Sequence, residues 1–200
     1  QIATKKNAKI FCLIDPIGQL AKDGNWFPGG ENFQILNTLS KETQNISFLS
    51  VNAGLYQNAG ANIVQQIAYT LAHANEYFNR VPNIKKPIVI EVAVGTNYFF
   101  EIAKLRALRV LFNLIAKEYG HDLDCHILAI PTKRNKTLYD YNVNMLRTTT
   151  ECMSAILGGA DTVQNLPYDV LYHKSNEFGE RISRNQLLVL KHESYLDKVN

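Results

Sequence analysis

Residues 88–94 read IVIEVAV, an almost unbroken apolar run that contains one charged side chain, Glu91. Such a run is typical of a strand buried on both faces, because a half-exposed strand would alternate apolar and polar residues. Similar continuous runs occur at residues 10–14, 48–51 and 126–130, and a weaker one occurs at residues 162–166. The sequence therefore predicts four strands and a weaker fifth.

Helical patterns separate these strands. Apolar residues recur at helical spacing from Ile63 to Phe78, from Ile102 to Tyr119, from about Tyr141 to Leu157 and from about Glu180 to Val199. Glycines at 120 and 158–159 follow the second and third patterns, as is common where helices stop. Alternating strands and helices require parallel strands joined by right-handed crossovers.

The spacing of the strands narrows the fold class. Strand starts lie 36 to 40 residues apart, which suits either a doubly wound sheet or a stretch of a (β/α)8 barrel. A doubly wound nucleotide-binding sheet usually has a glycine-rich first turn, and the sequence has none. We therefore predict an α/β fold of the (β/α)8 TIM-barrel type. Because a full barrel needs about 250 residues, we expect residues 1–200 to form part of one barrel domain.

Composition excludes several functional classes. A net charge of +3, spread evenly, gives no reason to expect nucleic acid or a membrane surface as a partner. The cysteines Cys12, Cys125 and Cys152 are far apart, so we expect free thiols in a cytoplasmic protein rather than disulfides. The chain begins without Met and ends inside a helical pattern, which suggests a piece of a longer protein.

Few residues near the predicted carboxyl ends of the strands could carry acid–base chemistry. The sequence lacks a phosphate-binding glycine loop, metal-ligand spacing of its histidines and a nucleophile elbow, so we expect no metal site. Asp15 and Glu91 are the exceptions. Asp15 precedes Pro16 and suits a turn, whereas Glu91 would line the barrel or pair with Lys104 or an arginine. The glycine-rich residues 23–30 suggest a long loop after the first strand, on the ligand-binding face.

Several stretches resemble one known family. Residues 95–107 resemble the FFxEIAKLRA helix of methylmalonyl-CoA mutases, residues 144–159 their NxxRTTxEAxxAxLGG segment, and residues 181–194 their RIxRNxQxxLxxES helix. Residues 57–61 resemble the QEAGA turn. These stretches follow the family's order from about Phe48 to Asn200. The family rearranges methylmalonyl-CoA and succinyl-CoA with adenosylcobalamin, in a (β/α)8 barrel through which the coenzyme A threads.

The resemblance implies that the ligand chemistry is lost. Leu55 stands where the family has its catalytic histidine, and Asn58 replaces the glutamate of the QEAGA turn. Gln57 and Asn58 are the weak remaining candidates for cofactor contact. Pro87 and Val89 replace residues that hold coenzyme A. Residues 128–131 are apolar where the family has a polar run on the cobalamin face.

The resemblance therefore predicts the barrel portion, about strands 4 to 8, of the non-catalytic small subunit of a heterodimeric mutase. Its partner would be the catalytic large subunit. Adenosylcobalamin would belong to the holoenzyme, and we expect none bound by this chain, since the cobalamin-binding domain would lie beyond Asn200. Two alternatives stay open at this point: a catalytically competent acyl-CoA mutase of altered specificity, and an unrelated α/β enzyme or binding module with a pocket built on Glu91 or Asp15.

Overall fold

The computed structural model describes residues 9–42, 46–82, 84–172, 174 and 176–199. The five strands are β1 (Ile10–Ile14), β2 (Ile46–Asn52), β3 (Val89–Val94), β4 (His126–Pro131) and β5 (Thr162–Val163). The helices are α1 (Pro16–Asp23), α2 (Asn32–Glu42), α3 (Gly54–Asn58), α4 (Ile63–Arg80), α5 (Tyr98–Glu118), α6 (Val143–Leu157) and α7 (Glu177–His192). A short 3-10 helix, Leu196–Lys198, follows α7.

The strands form one parallel sheet in the order β1-β2-β3-β4-β5. A doubly wound sheet reverses its strand order at a switch point, whereas this order advances in one direction only. Right-handed crossovers then place every crossover helix on the same face of the sheet, as in a barrel. The predicted fold class, an incomplete α/β barrel of the (β/α)8 type, is confirmed.

The hydrophobic core lies between the sheet and its helices. In β3, Ile90, Val92 and Val94 face this core, which also contains Leu105 and Phe112 of α5. Alternate residues of β3, including Glu91, therefore point to the opposite, inner face of the sheet. The continuous apolar runs of the sequence follow from this arrangement, because the inner face of a barrel is also buried.

An aromatic contact shows how strongly the sheet curls. The ring of Phe11 in β1 stacks on the ring of His126 in β4, with 4.1 Å between centroids and 24° between planes. Two strands separate β1 from β4, and neighbouring strands lie about 4.8 Å apart, so a flat sheet would hold these rings about 14 Å apart. The inner face is therefore concave, as in half of a barrel.

Local sequence explains the limits of the longer helices. At the start of α4, the Asn62 side chain accepts from the backbone N–H of Gln65, and the Gln65 side chain accepts from the backbone N–H of Asn62. This pair of hydrogen bonds is a capping box. Gly120 follows α5 with a φ of 72°, and Gly159 follows α6 with a φ of 82°. Both lie in the left-handed region that glycine tolerates, so the predicted stops are confirmed.

The loop predicted at residues 23–30 lies between α1 and α2, but the sequence analysis missed α1, which Asp15 caps and which separates this loop from the first strand. Two sequence predictions about boundaries were wrong. The last helix ends at His192 rather than near Val199, since Tyr195 with a φ of 51° turns the chain before the 3-10 helix. The fifth strand keeps two of its five predicted residues, because it pairs only with Leu128 and Ala129 of β4.

Two further predictions concern the environment of the chain. All three cysteines are free, as predicted, with Cys125 and Cys152 buried and Cys12 half-buried. Across the described ranges, no helix is both long enough and apolar enough to span a bilayer.

Candidate functional site

A cavity of about 290 Å³ opens at the carboxyl ends of the strands, on the inner face of the sheet. This is the face on which barrel enzymes bind their ligands. Polar groups of the lining come from four different strands or the loops that follow them. The lining consists of Asn52, Gly54, Asn58, Glu91, Val92, Ala93, Ile130, Pro131, Thr132, Lys133, Gln164 and Leu166.

Glu91 is the acidic residue of this cavity. It lies beside Asn52 of β2 and Leu128 of β4 in the strand register. Within the described ranges, its carboxylate has no hydrogen bond and no ion pair. Burial raises the pKa of Glu91 above its usual value, and the negative charge of Asp15 raises it further. The proposed pairing of Glu91 with Lys104 was wrong, because Lys104 lies in the core and binds Glu101.

The α3 turn places the three residues that the resemblance singled out. The backbone N–H of Leu55 donates to the Asn52 side chain over 3.2 Å, and Leu55 does not line the cavity. Gln57 is buried, and its side-chain oxygen accepts from the Thr132 hydroxyl over 2.7 Å. Asn58 is exposed and lines the cavity. Of the two cofactor candidates, Asn58 therefore faces open space and Gln57 ties α3 to the loop after β4.

The residues at the coenzyme A positions lack donors to phosphate. Pro87 precedes β3, and Val89 opens it as a buried residue opposite His126. At the end of β4, Ile130 and Pro131 form an apolar wall of the cavity. These side chains offer van der Waals contact and no hydrogen bond.

Asp15 points away from the cavity, toward α4. Its carboxylate accepts from the Tyr77 hydroxyl at 2.5 Å and from the Asn52 backbone N–H at 2.7 Å, and it lies 3.0 Å from His73 Nε2. It also caps α1 through the Gly18 N–H at 2.8 Å. A Cβ on Gly18 would lie 2.2 Å from the carboxylate, so this run of sequence requires glycine there.

The Asp15 cluster continues to a second tyrosine. His73 Nδ1 lies 2.9 Å from the Tyr56 hydroxyl. Because an ionised carboxylate only accepts, the Nε2 proton of His73 faces Asp15. Burial and the charge of Asp15 raise the pKa of Tyr56 to about 12, so the Tyr56 hydroxyl keeps its proton. The sequence analysis missed this chain, since its members come from distant segments without a recognisable motif.

Opposing effects set the pKa of Asp15. Burial by itself would raise it, but the hydrogen bond and positive charge of His73 and the donors Tyr77 and Asn52 hold it below its usual value. Burial, together with Asp15, also raises the pKa of Tyr77. The side chains of the cluster connect α1, β2 and α4, and they bond to one another. The cluster therefore acts as a structural junction, and Asp15 and His73 do not line the cavity.

The motifs that carry the family resemblance also form buried polar contacts. In α5, Lys104 pairs with Glu101 and donates to the carbonyl of Ala93 at 2.7 Å. In the segment that leads into α6, Lys136 pairs with Glu151 at 2.5 Å, and both side chains are fully buried. These residues hold helices against the sheet and do not reach the cavity.

The cavity does not fit adenosylcobalamin. Pockets for drug-sized ligands run from about 300 to 1,000 Å³, and a corrinoid with its nucleotide is larger than such ligands. The described residues of the lining supply amides, the Thr132 hydroxyl, one carboxylate and one ammonium, and none of them is a histidine. Among the described residues there is also no group of three or more His, Cys, Asp or Glu able to hold a metal.

Strand order, curl and the position of the cavity define a class: part of a parallel (β/α)8 barrel with its mouth at the carboxyl ends of the strands. The sequence profile described as methylmalonyl-CoA mutase matches residues 30–199. The chain therefore belongs to the methylmalonyl-CoA mutase family, and the resemblance inferred from its motifs is confirmed. An unrelated α/β enzyme or binding module is thereby excluded.

Curated relatives include chains named methylmalonyl-CoA mutase and chains named methylmalonyl-CoA mutase small subunit. The chain is 47% identical over 104 residues to the methylmalonyl-CoA mutase small subunit of Porphyromonas gingivalis, which covers 50% of this chain and 17% of that one. It is 39% identical over 102 residues to the small subunit of Streptomyces virginiae, covering 49% and 16%. A methylmalonyl-CoA mutase of Cereibacter sphaeroides is 32% identical over 180 residues, covering 82% and 25%. The chain thus spans a quarter or less of these relatives' length.

Proposed function

We propose that this chain is the barrel portion of the non-catalytic small subunit of an adenosylcobalamin-dependent methylmalonyl-CoA mutase. The holoenzyme interconverts methylmalonyl-CoA and succinyl-CoA in the cytoplasm, and its active site belongs to a catalytic large subunit. This chain forms a heterodimer with that subunit and supports its fold. Relatives from two organisms that carry the name small subunit support the assignment.

One observation carries the proposal: among the residues that the structure describes, no imidazole lines the cavity. The family resemblance places Leu55 at the position of the catalytic histidine. A leucine side chain can neither donate a hydrogen bond nor exchange a proton. His73, which contacts Tyr56 of the same turn, is buried and engaged by Asp15 and Tyr56. It therefore cannot substitute for the missing group without dismantling the junction of α1, β2 and α4.

Charge at the mouth of the barrel supports the same conclusion. Methylmalonyl and succinyl groups each carry a free carboxylate. Glu91 places a second, partly desolvated carboxylate in the cavity, and among the described residues no cation pairs with it, since Lys133 of the same lining makes no ion pair with Glu91. Like charges repel more strongly where water is excluded. An anionic acyl group is therefore disfavoured at this position.

The proposal is tested by co-expressing the full-length small subunit with its large subunit and measuring isomerisation of methylmalonyl-CoA. We expect the two chains to co-purify, and the large subunit to lose thermal stability or activity when the small subunit is left out. Turnover by the purified small subunit alone would contradict the proposal. So would a large subunit whose stability and activity are unchanged without it.

A catalytically competent mutase of altered specificity is the alternative that remains. It requires another group to replace the histidine at position 55, and the cavity offers only Glu91 and Lys133 as titratable candidates. The isolated full-length chain, loaded with adenosylcobalamin, is assayed with a panel of acyl-CoA substrates. Turnover that disappears in the Glu91→Gln variant would favour the alternative.

A further inference from the structure

The mouth of the half-barrel holds a carboxylate that no described neighbour neutralises. Glu91 lines the cavity of about 290 Å³, and within the described ranges it forms no hydrogen bond and no ion pair. Its oxygens are not cut off from solvent, so a molecule in the cavity can reach them. A charge held partly out of water without a partner costs free energy, and a titratable group placed in this way in a cleft is typical of a binding site.

A cation lines the same cavity without pairing with Glu91. Lys133 follows β4, and among the described residues its side chain forms no ion pair. In the strand register Glu91 is level with Leu128, and β4 continues from there to Pro131. Three residues of a strand rise about 10 Å, so Lys133 belongs to the mouth of the cavity and Glu91 to its deeper part. The two charges therefore lie at different depths, and a ligand between them would meet both.

Neutral groups of the lining complete the set of contacts. Asn52 lies beside Glu91 in the register of β2 and β3, and the exposed side chains of Asn58 and Gln164 also line the cavity. In the described part of the chain, no hydrogen bond engages the side-chain amide of Asn58 or of Gln164. An ammonium has three N–H donors, which a carboxylate and neighbouring amide oxygens can accept. The apolar side chain of Ile130 suits methylene groups between two charged ends.

A completed barrel would leave this cavity accessible. The strand order is sequential, so further strands would extend the sheet beyond β1 or β5. The lining comes from the ends of β2, β3 and β4 and from the segments that follow β2, β4 and β5. Side chains fill the interior of a barrel, whereas ligands enter at the carboxyl ends of the strands. Further strands would therefore wall the open side of the cavity and leave its mouth free.

Volume and charge restrict the ligand. Pockets for drug-sized ligands run from about 300 Å³ upward, so a cavity of about 290 Å³ admits only a small molecule. The lining carries one negative and one positive side chain, so a ligand with a single charge would leave one of them unpaired. A zwitterion pairs both. Because the two side chains lie at different depths, its ammonium and its carboxylate must be at opposite ends, as in an ω-amino acid.

We propose that this cavity binds a small ω-amino acid, with its ammonium on the Glu91 carboxylate and its own carboxylate toward Lys133. The site is separate from the isomerisation that the proposed function assigns to the large subunit, and it does not depend on that assignment. The same carboxylate that disfavours an anionic acyl group thus selects an amine.

Calorimetric titration of the full-length chain at neutral pH is the direct test. The probes 4-aminobutyrate, butylamine and butyrate each have four carbon atoms and differ in their charged ends. We expect 4-aminobutyrate to bind with a Kd of about 1 mM, butylamine about threefold more weakly and butyrate at least about tenfold more weakly. Glycine and 6-aminohexanoate test shorter and longer charge separations. The proposal is overturned if none of these three amino acids binds at about 20 mM, or if butyrate binds as tightly as 4-aminobutyrate.

Variants of the two charged residues locate the site. Glu91→Gln keeps the shape of the side chain and should fold, and we expect it to weaken 4-aminobutyrate and butylamine by about tenfold or more. Lys133→Met should weaken 4-aminobutyrate about threefold and leave butylamine unchanged, because it removes only the contact at the exposed mouth. Lys117→Met, an exposed position in the last turn of α5, is the matched control and should change neither.

A second measurement does not depend on the heat of binding. A ligand that binds only the folded chain raises the denaturant midpoint. We expect 4-aminobutyrate to raise the urea midpoint of the wild-type chain and to have little effect on Glu91→Gln. Equal protection of the two chains would place the ligand elsewhere and overturn the proposal, as would equal calorimetric affinities.

Discussion

The carboxylate of Glu91 occupies the inner face of the sheet without a counter-charge. Its neighbours in the register are the amide Asn52 and the apolar Leu128. When the pKa of an acid is higher in the folded chain than in the unfolded chain, the folded state holds the proton more tightly. Ionisation of that acid therefore lowers the free energy of unfolding. Glu91 therefore weakens the fold at neutral pH and is tolerated because water still reaches it.

We predict that Glu91→Gln stabilises the chain at pH 7.5 by up to about 0.5 kcal/mol, a small effect because water screens a half-exposed charge. The gain is present above the raised pKa and disappears as pH falls below the ordinary value of 4.5. Urea unfolding at pH 7.5 and pH 4 measures it. Glu118→Gln, an exposed glutamate at the end of α5, is the control. A variant less stable than wild type at pH 7.5 would contradict the reasoning.

Asp15 behaves in the opposite way, because folding lowers its pKa. Its contacts with Tyr77, His73, Asn52 and Gly18 favour the ionised form, so its folded pKa lies below the unfolded value of 3.8. Stability from such a group is fully present above the unfolded pKa and is lost as pH falls through the folded pKa.

We predict that Asp15→Asn lowers the free energy of unfolding by about 3 kcal/mol at pH 7, because an amide leaves donors of the cluster unpaired. The difference between variant and wild type should narrow below about pH 4. Chemical denaturation across pH 3 to 7 measures both. The control is Asp23→Asn, an exposed residue at the end of α1. A gap that stays constant across this range would show that the carboxylate charge is not the source.

At the scale of elements, the two long central helices begin differently. The N-cap of α4, Asn62, exchanges hydrogen bonds with Gln65 at 2.9 and 3.0 Å. The N-cap of α5, Asn97, makes no capping bond with its side chain. The start of α5 is instead held by tertiary contacts, since Glu101 and Lys104 form a buried pair one turn into the helix.

We predict that Asn62→Ala costs about 1 kcal/mol, the usual value of a lost N-cap. Asn97→Ala is the matched control and should change stability by less than about 0.5 kcal/mol. Thermal unfolding followed by circular dichroism compares them. Equal losses in the two variants would show that backbone conformation matters more than the cap.

We predict that Lys104→Met costs about 3 kcal/mol, because it leaves Glu101 buried without a counter-charge. The double variant Lys104→Met, Glu101→Gln should recover a large part of this loss. A double-mutant cycle on denaturant midpoints measures the coupling. Purely additive losses would mean that the pair does not act as a unit.

At the scale of the whole molecule, the curl of the sheet decides where the cavity lies. A sequential parallel sheet has one face covered by helices, and here the other face bends until Phe11 meets His126. In the described sheet β1 and β5 are the edge strands, and Phe99 and Phe100 on the outer face of α5 are 78% and 61% exposed. The molecule therefore combines a complete helix-sheet core with exposed apolar surfaces.

We predict that Phe11→Ala costs about 1–2 kcal/mol, through the lost stack and lost burial. Leu13→Ala is the control on the same face of β1, where the side chain is 49% exposed against 38% for Phe11. It should cost less. Denaturant unfolding ranks the two, and the reverse order would show that the stack contributes little to the curl.

Much of the fold was predictable because strands and helices follow from the spacing of apolar residues over short stretches of sequence. The runs at 10–14 and 126–130 match strands within a residue, and the α6 pattern ends where predicted, at Leu157. The helices α1, α2 and α3 were missed, since α1 and α3 have only eight and five residues and α2 follows a glycine-rich stretch that is typical of a loop. The length of the two-residue β5 was overestimated, because the length of a strand depends on its pairing with a neighbouring strand, which local sequence does not specify.

The sequence by itself predicted the barrel type and the family, and both are confirmed. The replacement of the family's catalytic histidine by Leu55 stays a prediction from the resemblance. These predictions depend on periodicity and motifs that lie within a few turns or strands of the chain. Only the tertiary structure decided that Asp15 joins His73 and Tyr77 while Glu91 faces the cavity alone. Both are acids near strand ends, and their surroundings come from segments up to 62 residues away. Which acid finds partners depends on how the strands and helices pack, because hydrogen bonds and charges act over a few ångströms and not along the chain.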